Sequence, residues 1–349
     1  MQIVVVLNKL FMMGWYLEMS SYKPPYTITT EILKLTSEIS ELISDIKHID
    51  KNYSTLTLRK KNRIKSITGT LQIEGNTFDE EKVTNVINGK TVFGTTREIE
   101  EVKGAVEAYD NIDNYDYKNE KDLLMAHRFL MKNLLHNAGT YRNSNVGIGG
   151  KDGVTHVAPP PNFVPQLMGE LFEWLKTTDE HLLIVGCIFH YEFEFIHPFS
   201  DGNGRVGRLW QTVILKSFKD FFSFMPIESM VRNNQQKYYQ ALEDSGSIGE
   251  STPFIEFMLE IISKSLKDYI KTHKQNVPKS VTKNVPLKRM TEIVNLIQKD
   301  KNITILQIAD ILGVSDKTIK RDIAKLKNEN KIVRVGSLKG GHWEVIDEI

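Results

Sequence analysis

From Thr29 to about Lys61 the apolar residues Ile32, Leu33, Leu35, Ile39, Leu42, Ile43 and Ile46 recur near helical spacing, which predicts a long amphipathic helix. A second helical stretch is expected over roughly 64–72, ending at Gly75-Asn76, since a glycine just past the last apolar residue favours a helix C-cap. Helices are further predicted at 97–111, 121–136, 163–176, 182–196, 204–219, 233–244 and 253–273. Between Gly139 and Pro161 the texture changes to Gly, Asn and Pro with short β-prone pieces around Gly150-Lys151-Asp152-Gly153, the pattern of a hairpin or flap. Residues 274–286 are polar, carry two prolines and lack an apolar period, which predicts a linker. Beyond it come helical segments at 288–300, 305–312 and 316–329, then two short β runs joined at Gly340-Gly341. Helix, helix, helix, hairpin is the order of a winged helix-turn-helix.

The expected fold is therefore mainly α: an all-helical core with a short β-hairpin flap, plus a small C-terminal winged helix-turn-helix domain. The boundaries drawn are an N-terminal helical region at 1–110, a core at 111–273, the linker at 274–286 and the C-terminal domain at 287–349. Composition agrees, with 26% charged and 40% hydrophobic residues, as in an ordinary soluble globular protein. The 45 basic against 44 acidic residues give a net charge of +1, so no global field steers the molecule toward nucleic acid or anionic lipid. Cys187 is the single cysteine, which excludes an intrachain disulfide and a Cys-based zinc cluster and fits a reducing cytoplasm. Its apolar surroundings mark it as a small buried residue rather than a nucleophile. The first seventeen residues are apolar, but Asn8 and Lys9 split the run, the start is not basic and no small-residue cleavage site follows. A strand or an N-terminal extension is expected there, not a signal peptide or membrane anchor.

The densest chemistry lies in HPFSDGNGRVGR, His197 to Arg208, between the apolar run IVGCIFHYEFEFI and the amphipathic RLWQTVILKSF. That places it in a loop between two buried helices. Gly202 and Gly204 let the backbone bring amides close to a ligand, and a helix starting near Gly204 points its free N–H groups and positive dipole end at the loop. Arg205 and Arg208, three apart, are neighbours on the first turn and can reach the same polyphosphate. Asp201, a carboxylate among cationic groups, suits a magnesium ion bridging phosphates. A histidine, with an ordinary pKa of about 6.5, can accept a hydroxyl proton near neutral pH, a role for His197. Together these groups specify phosphoryl or nucleotidyl transfer.

These twelve residues match the central motif of the Fic family, HPFxDGNGRxxR, at every defined position, and the chain resembles that family over roughly 64–270. The resemblance implies AMP transfer from MgATP to a Ser, Thr or Tyr hydroxyl of a protein, the chain itself included. His197 would deprotonate the hydroxyl, Asp201 would bind Mg²⁺, and the 202–205 amides with Asn203 and Arg205 would hold the α- and β-phosphates. Arg208 would grip the γ-phosphate, with Val206 and Gly207 completing the nucleotide-binding run. Gly139-Thr140-Tyr141-Arg142 followed by Val146, Gly147, Ile148 and Gly149 is similar to the entry of the family's flap, whose backbone edge aligns the target by strand addition, and His156 with the following prolines would close it. Tyr238 and Tyr239 resemble the tyrosine pair beside the adenine; two aromatics packing in a helix explain them equally well. Upstream, Thr70–Asn76 resembles the (S/T)xxxE(G/N) inhibitory motif, on a helix at about 64–75. A carboxylate at Glu74 paired with Arg208 would take the γ-phosphate's partner and leave ATP misplaced for in-line attack.

The C-terminal segment ILQIADILGVSDKTIKRDIAKL resembles winged helix-turn-helix domains of bacterial transcription regulators. Ile308, Ala309, Leu312, Val314, Ile319 and Ile323 supply a core, Gly313 marks the turn, and Asp316, Lys317, Thr318, Lys320 and Arg321 fall on the candidate recognition helix. Residues 287–349 hold 12 Lys and Arg against 9 Asp and Glu, few surplus cations for phosphate contacts. DNA is one candidate partner of this module; substrate docking and homodimerisation are others. Three alternatives to an AMP transferase stand beside it: a nucleotide-sensing transcription regulator, a hydrolase that removes AMP with water positioned by Glu74, and a metal hydrolase using His190, Glu194 and His197, for which no HExxH pattern exists.

Overall fold

The computed structural model describes residues 22–50, 56–150, 153–276, 285–336 and 341–346. The N-terminal apolar run therefore lies outside the described residues. Two compact units divide the chain, one up to Thr272 and one from His273 onward.

The first unit contains α1 (Thr30–Asp50), α2 (Leu56–Ile73), α3 (Glu80–Ile87), α4 (Thr96–Asp110), α5 (Glu120–Met131), the hairpin β1 (Gly147–Gly150) and β2 (Gly153–Val157), then α6 (Val164–Thr177), α7 (Leu182–Ile196), α8 (Asn203–Phe218), α9 (Ile227–Asn233), α10 (Gln235–Ile248) and α11 (Thr252–Asn276). Its centre is α7, whose residues from Leu183 to Phe193 are all buried, packed against α8. Phe172, Phe189, Phe193, Phe199 and Trp210 are at most 1% exposed there, and each such burial is worth about 1.5–3 kcal/mol before entropy is counted. Against this pair α2 is held through α9, at Gly69: a Cβ there would stand 2.7 Å from the Ser229 nitrogen. Local signals set the helix starts, as in the reciprocal capping box of Thr95 and Glu98 at the head of α4 and the Asp79 cap on α3.

Several boundaries differ from expectation. The helical stretch expected over about 29–61 is described as two elements, α1 to Asp50 and α2 from Leu56, with 51–55 outside the described residues. α5 ends at Met131, not 136, where the Leu134 and Leu135 N–H groups both turn back to the Met131 carbonyl. α3 and α9, eight and seven residues long, are too short to give a periodic signal. α10 continues through Ser245-Gly246-Ser247 to Ile248, since the buried Ser245 hydroxyl accepts the Phe254 N–H.

In the second unit α12 (Val285–Lys299), α13 (Ile305–Leu312) and α14 (Asp316–Asn328) precede β3 (Ile332–Val335) and β4 (His342–Val345), which pair antiparallel with Ile332 opposite Val345. Of the expected linker only 277–284 lies between the helices, outside the described residues; α11 and α12 extend into its two ends. A separate core joins Met290, Ile293, Ile308, Ile319, Ile323 and Trp343, and Gly313 makes the left-handed turn between α13 and α14. The whole is mostly helical, with a helix-turn-helix unit at its C-terminal end. No helix among the described residues is long and apolar enough to cross a membrane.

Candidate active site

The loop between α7 and α8 is held by its own polar groups. His197 caps α7 in the left-handed region (φ 50°), its N–H bonded to the Phe193 carbonyl at 2.9 Å. Such a backbone is uncommon for a side chain with a Cβ and turns the chain sharply out of the helix. Asn203 closes the loop from the other end: its amide donates to the Phe199 carbonyl and accepts the Phe199 N–H, both at 2.8 Å. His127 on α5 stacks on Phe199 at 3.6 Å and, accepting the Gly139 N–H on Nδ1, donates from Nε2 to the Asp201 carbonyl. Burial pushes His127 down to about 4, so it works as a neutral ring. Gly202, at φ 86°, is the N-cap of α8 and offers no side chain to its first turn. The leading amides of α8 receive no side-chain cap from Gly202.

A carboxylate already stands at that helix end. Glu74, just past α2, accepts from Arg208 Nη2 at 2.6 Å, while Thr70 receives the same guanidinium through its hydroxyl and carbonyl. A Cβ on Gly204 would come within 2.4 Å of Glu74 Oε1, so the glycine is what lets the carboxylate lie against the first turn of α8. Burial works against the Arg208 charge, but Glu74, Tyr238 and Glu194 outweigh it and its pKa is raised.

Beside this pair runs a second network. Arg205, 2% exposed, lies 3.2 Å from Asp201 and 3.4 Å from the buried Glu101, which also accepts from Asn76 and Arg97. Arg97 reaches on to the other Asp201 oxygen at 2.9 Å. Among the described residues no three His, Cys, Asp or Glu side chains gather as a metal cluster. A lone, partly exposed Asp201 nonetheless fits Mg²⁺, which is ordinarily held by one or two carboxylates together with substrate phosphates.

The flap strands pair antiparallel, Gly147 opposite Val157 and Ile148 opposite His156, with a bulge before Gly149. Arg142 fixes both its roots, donating to Ser144 and Pro159 carbonyls and, from Nε, to the His197 carbonyl at 2.7 Å. Tyr238 and Tyr239 diverge. Tyr238 is 1% exposed and shares a bond with His190 Nε2 at 3.0 Å; Tyr239 is half exposed beside it, with Gln235 linking it to the end of α2. His190 is fully buried with both ring nitrogens engaged, Nδ1 with Gln211 and Nε2 with Tyr238, as in a core histidine, and burial takes it down to about 3. Cys187 is buried as expected, and burial pushes its thiol up.

Thus His197, Asp201, the 202–208 run and Glu74 converge, whereas the Asn203 side chain is engaged in holding the loop. Sequence reasoning assigned no role to Arg97, Glu101, His127 or Arg142. Their contacts to the loop and to Arg205 span 55 to 104 residues, which no local pattern marks, although Arg97 and Glu101 also pair four apart and Arg142 stood in the flap-entry stretch.

The loop that carries His197 thus leads into a helix whose first turns bear two buried arginines, Arg205 and Arg208, each paired with carboxylates from elsewhere in the core. Residues 117–215 match the model of the Fic/DOC family, and residues 289–338 match that of a DeoR-like helix-turn-helix domain. The crystal structure of a Fic family protein from Desulfovibrio desulfuricans G20 is similar over 94% of this chain and 99% of that one, at 37% identity and a TM-score of 0.73. The chain belongs to the Fic family. Among curated relatives, the protein adenylyltransferase Fic of Aedes aegypti is 28% identical over 236 residues, 63% of this chain and 44% of the relative. The protein adenylyltransferase fic-1 of Caenorhabditis elegans is 25% identical over 261 residues, 70% and 49% of the two chains. The chain spans about half the length of the curated relatives it matches.

Proposed function

We propose that this protein is a protein adenylyltransferase that moves AMP from ATP to a Ser, Thr or Tyr hydroxyl of a target protein or of itself, and that Glu74 restrains it. One observation carries the proposal: the cleft beside His197 already binds an anion, and that anion is the chain's own Glu74 carboxylate, held between Arg208 and Gly204. The same donors suit the phosphates of ATP. With Glu74 in place, Arg208 spends Nη2 on the carboxylate and Nε on Thr70, and ATP enters with its α-phosphate turned away from the attacking hydroxyl. With Glu74 withdrawn, the amides of Asn203 to Arg205 and the Arg205 and Arg208 guanidiniums orient the triphosphate. His197 takes the hydroxyl's proton. Asp201 is the residue that would hold Mg²⁺, which when bound with ATP offsets charge on the phosphates.

α-Labelled ATP tests the reading. Wild type should label itself or a lysate protein weakly, Glu74→Gly strongly, and His197→Ala not at all while still binding ATP; equal labelling by wild type and His197→Ala would sink it. Release of AMP from a pre-labelled protein would instead point to removal as the working direction. For the C-terminal unit we infer DNA as the partner, because α14 exposes Lys317, Lys320 and Arg321 beside the DeoR-like match. Retention of DNA by residues 285–349 that vanishes on Arg321→Ala would support it, and binding indifferent to salt would exclude it.

A further inference from the structure

Behind His197, on the last turn of α7, lies a carboxyl that the reaction just described does not use. Glu194 Oε2 stands 3.8 Å from His197 Nδ1, and Oε1 stands 3.8 Å from His190 Nε2. Its side chain is 11% exposed, and Oε1 accepts no hydrogen bond among the described residues. A Cβ on Gly207 would come within 2.9 Å of Oε1, so the first turns of α8 are shaped to leave this carboxyl room. A buried carboxyl lacking donors costs stability, and packing alone gives no reason to keep one against an imidazole.

The groups that face it are few. On α7 they are His190, a neutral ring, and His197; from α8 comes Arg208, from the end of α2 Glu74, and from α10 Tyr238 and Tyr239. Burial pushes Glu194 up to about 8, Arg208 pulling it down and Glu74 adding to the rise. Near neutral pH it therefore still holds its proton while Glu74 is in place.

We propose that Glu194 is the positioning residue of the base: as a carboxylate it keeps the imidazole proton of His197 on Nδ1 and leaves Nε2 as the acceptor for the target's proton. The inference rests on AMP transfer with His197 as base. In that step the hydroxyl O–H proton passes to Nε2 while the hydroxyl oxygen bonds to the α-phosphorus and the bond from that phosphorus to the departing pyrophosphate breaks. The imidazolium so formed lies against the Glu194 carboxylate, as a buried acid behind a base histidine stabilises it elsewhere. A protonated Glu194 gives neither service. Glu74 thus acts twice, occupying the anion cleft and, across Arg208, favouring the protonated form of Glu194.

The test follows the His197 tautomer by ¹⁵N NMR in the full-length, ATP-free protein, with His197→Ala to assign the signal. Wild type should gain the Nδ1–H form as pH rises through about 8, Glu74→Gly should do so at lower pH, and Glu194→Gln should show no such transition. In the Glu74→Gly background, Glu194→Gln should lower kcat at least tenfold above about pH 8, leave KM for ATP within about twofold and abolish the rise of kcat with pH, whereas Glu194→Asp should keep the rise. A Gln variant with unchanged kcat and pH profile, or with the tautomer transition intact, overturns the proposal. So does a loss of kcat accompanied by weaker ATP binding and a lower melting temperature, which marks a merely structural role. If Glu74→Gly transfers no AMP at all, the proposed function fails, while the tautomer titration still decides the role of Glu194.

Discussion

Single residues here act through neighbours far along the chain. Glu74 meets Arg208 across 134 positions, and replacing Glu74 with Gly is expected to raise automodification at least tenfold, each tenfold being about 1.4 kcal/mol of barrier. Arg208→Ala added to that variant should be weak or inactive, because the same guanidinium would hold the γ-phosphate; label incorporation checks both. His190 makes a separate demand on pH. Its folded pKa of about 3 lies below the ordinary value near 6.5, so the stability it contributes is whole above about pH 6.5 and is lost as pH falls toward 3. His190→Gln should flatten the acid side of a melting-stability curve by about 1.4 kcal/mol per pH unit between roughly pH 6 and 4, and an unchanged slope would refute this. His197, Asp201, Arg205, Arg208 and Glu74 were legible because each falls in a short motif whose chemistry needs neighbours three or four positions apart. Glu101 and Arg97 were not, because what defines them is an ion pair formed only when α4 comes to lie beside α8.

Elements carry the site as rigid levers. α2 is fixed by backbone contact at Gly69, so Gly69→Ala is expected to push the helix off Glu228 and Ser229. The displacement should lower the melting temperature, by about 2–4 °C for each kcal/mol lost, and raise automodification by drawing Glu74 out of the cleft. Loss of stability with no gain in labelling would show that Glu74 is held by Arg208 alone. Helices of fifteen residues such as α7 were legible from apolar content and length, and the α8 start from its glycines. The short α3 and α9 were hidden, since a periodic signal needs more turns than eight or seven residues supply. The expected helix ended at 244, yet α10 runs on through Ser245-Gly246-Ser247, where the Ser245 hydroxyl accepts the Phe254 N–H of the following helix.

At the scale of the whole molecule the two units own separate cores. A chain ending at Asn276 should therefore fold, bind ATP and, with Glu74→Gly, label itself within about twofold of the full-length variant. Insolubility, or loss of ATP binding, would mean that the first unit needs the second. The order of the chain has its own meaning in a cell, where proteins are made from the N-terminus forward. Glu74 leaves the ribosome 134 residues ahead of Arg208, a lead of roughly 7–27 s at ordinary speeds of synthesis. The carboxylate is waiting when the guanidinium arrives, so on the proposed role of Glu74 each newborn copy would be silent from the outset and an unguarded interval in early life would never open.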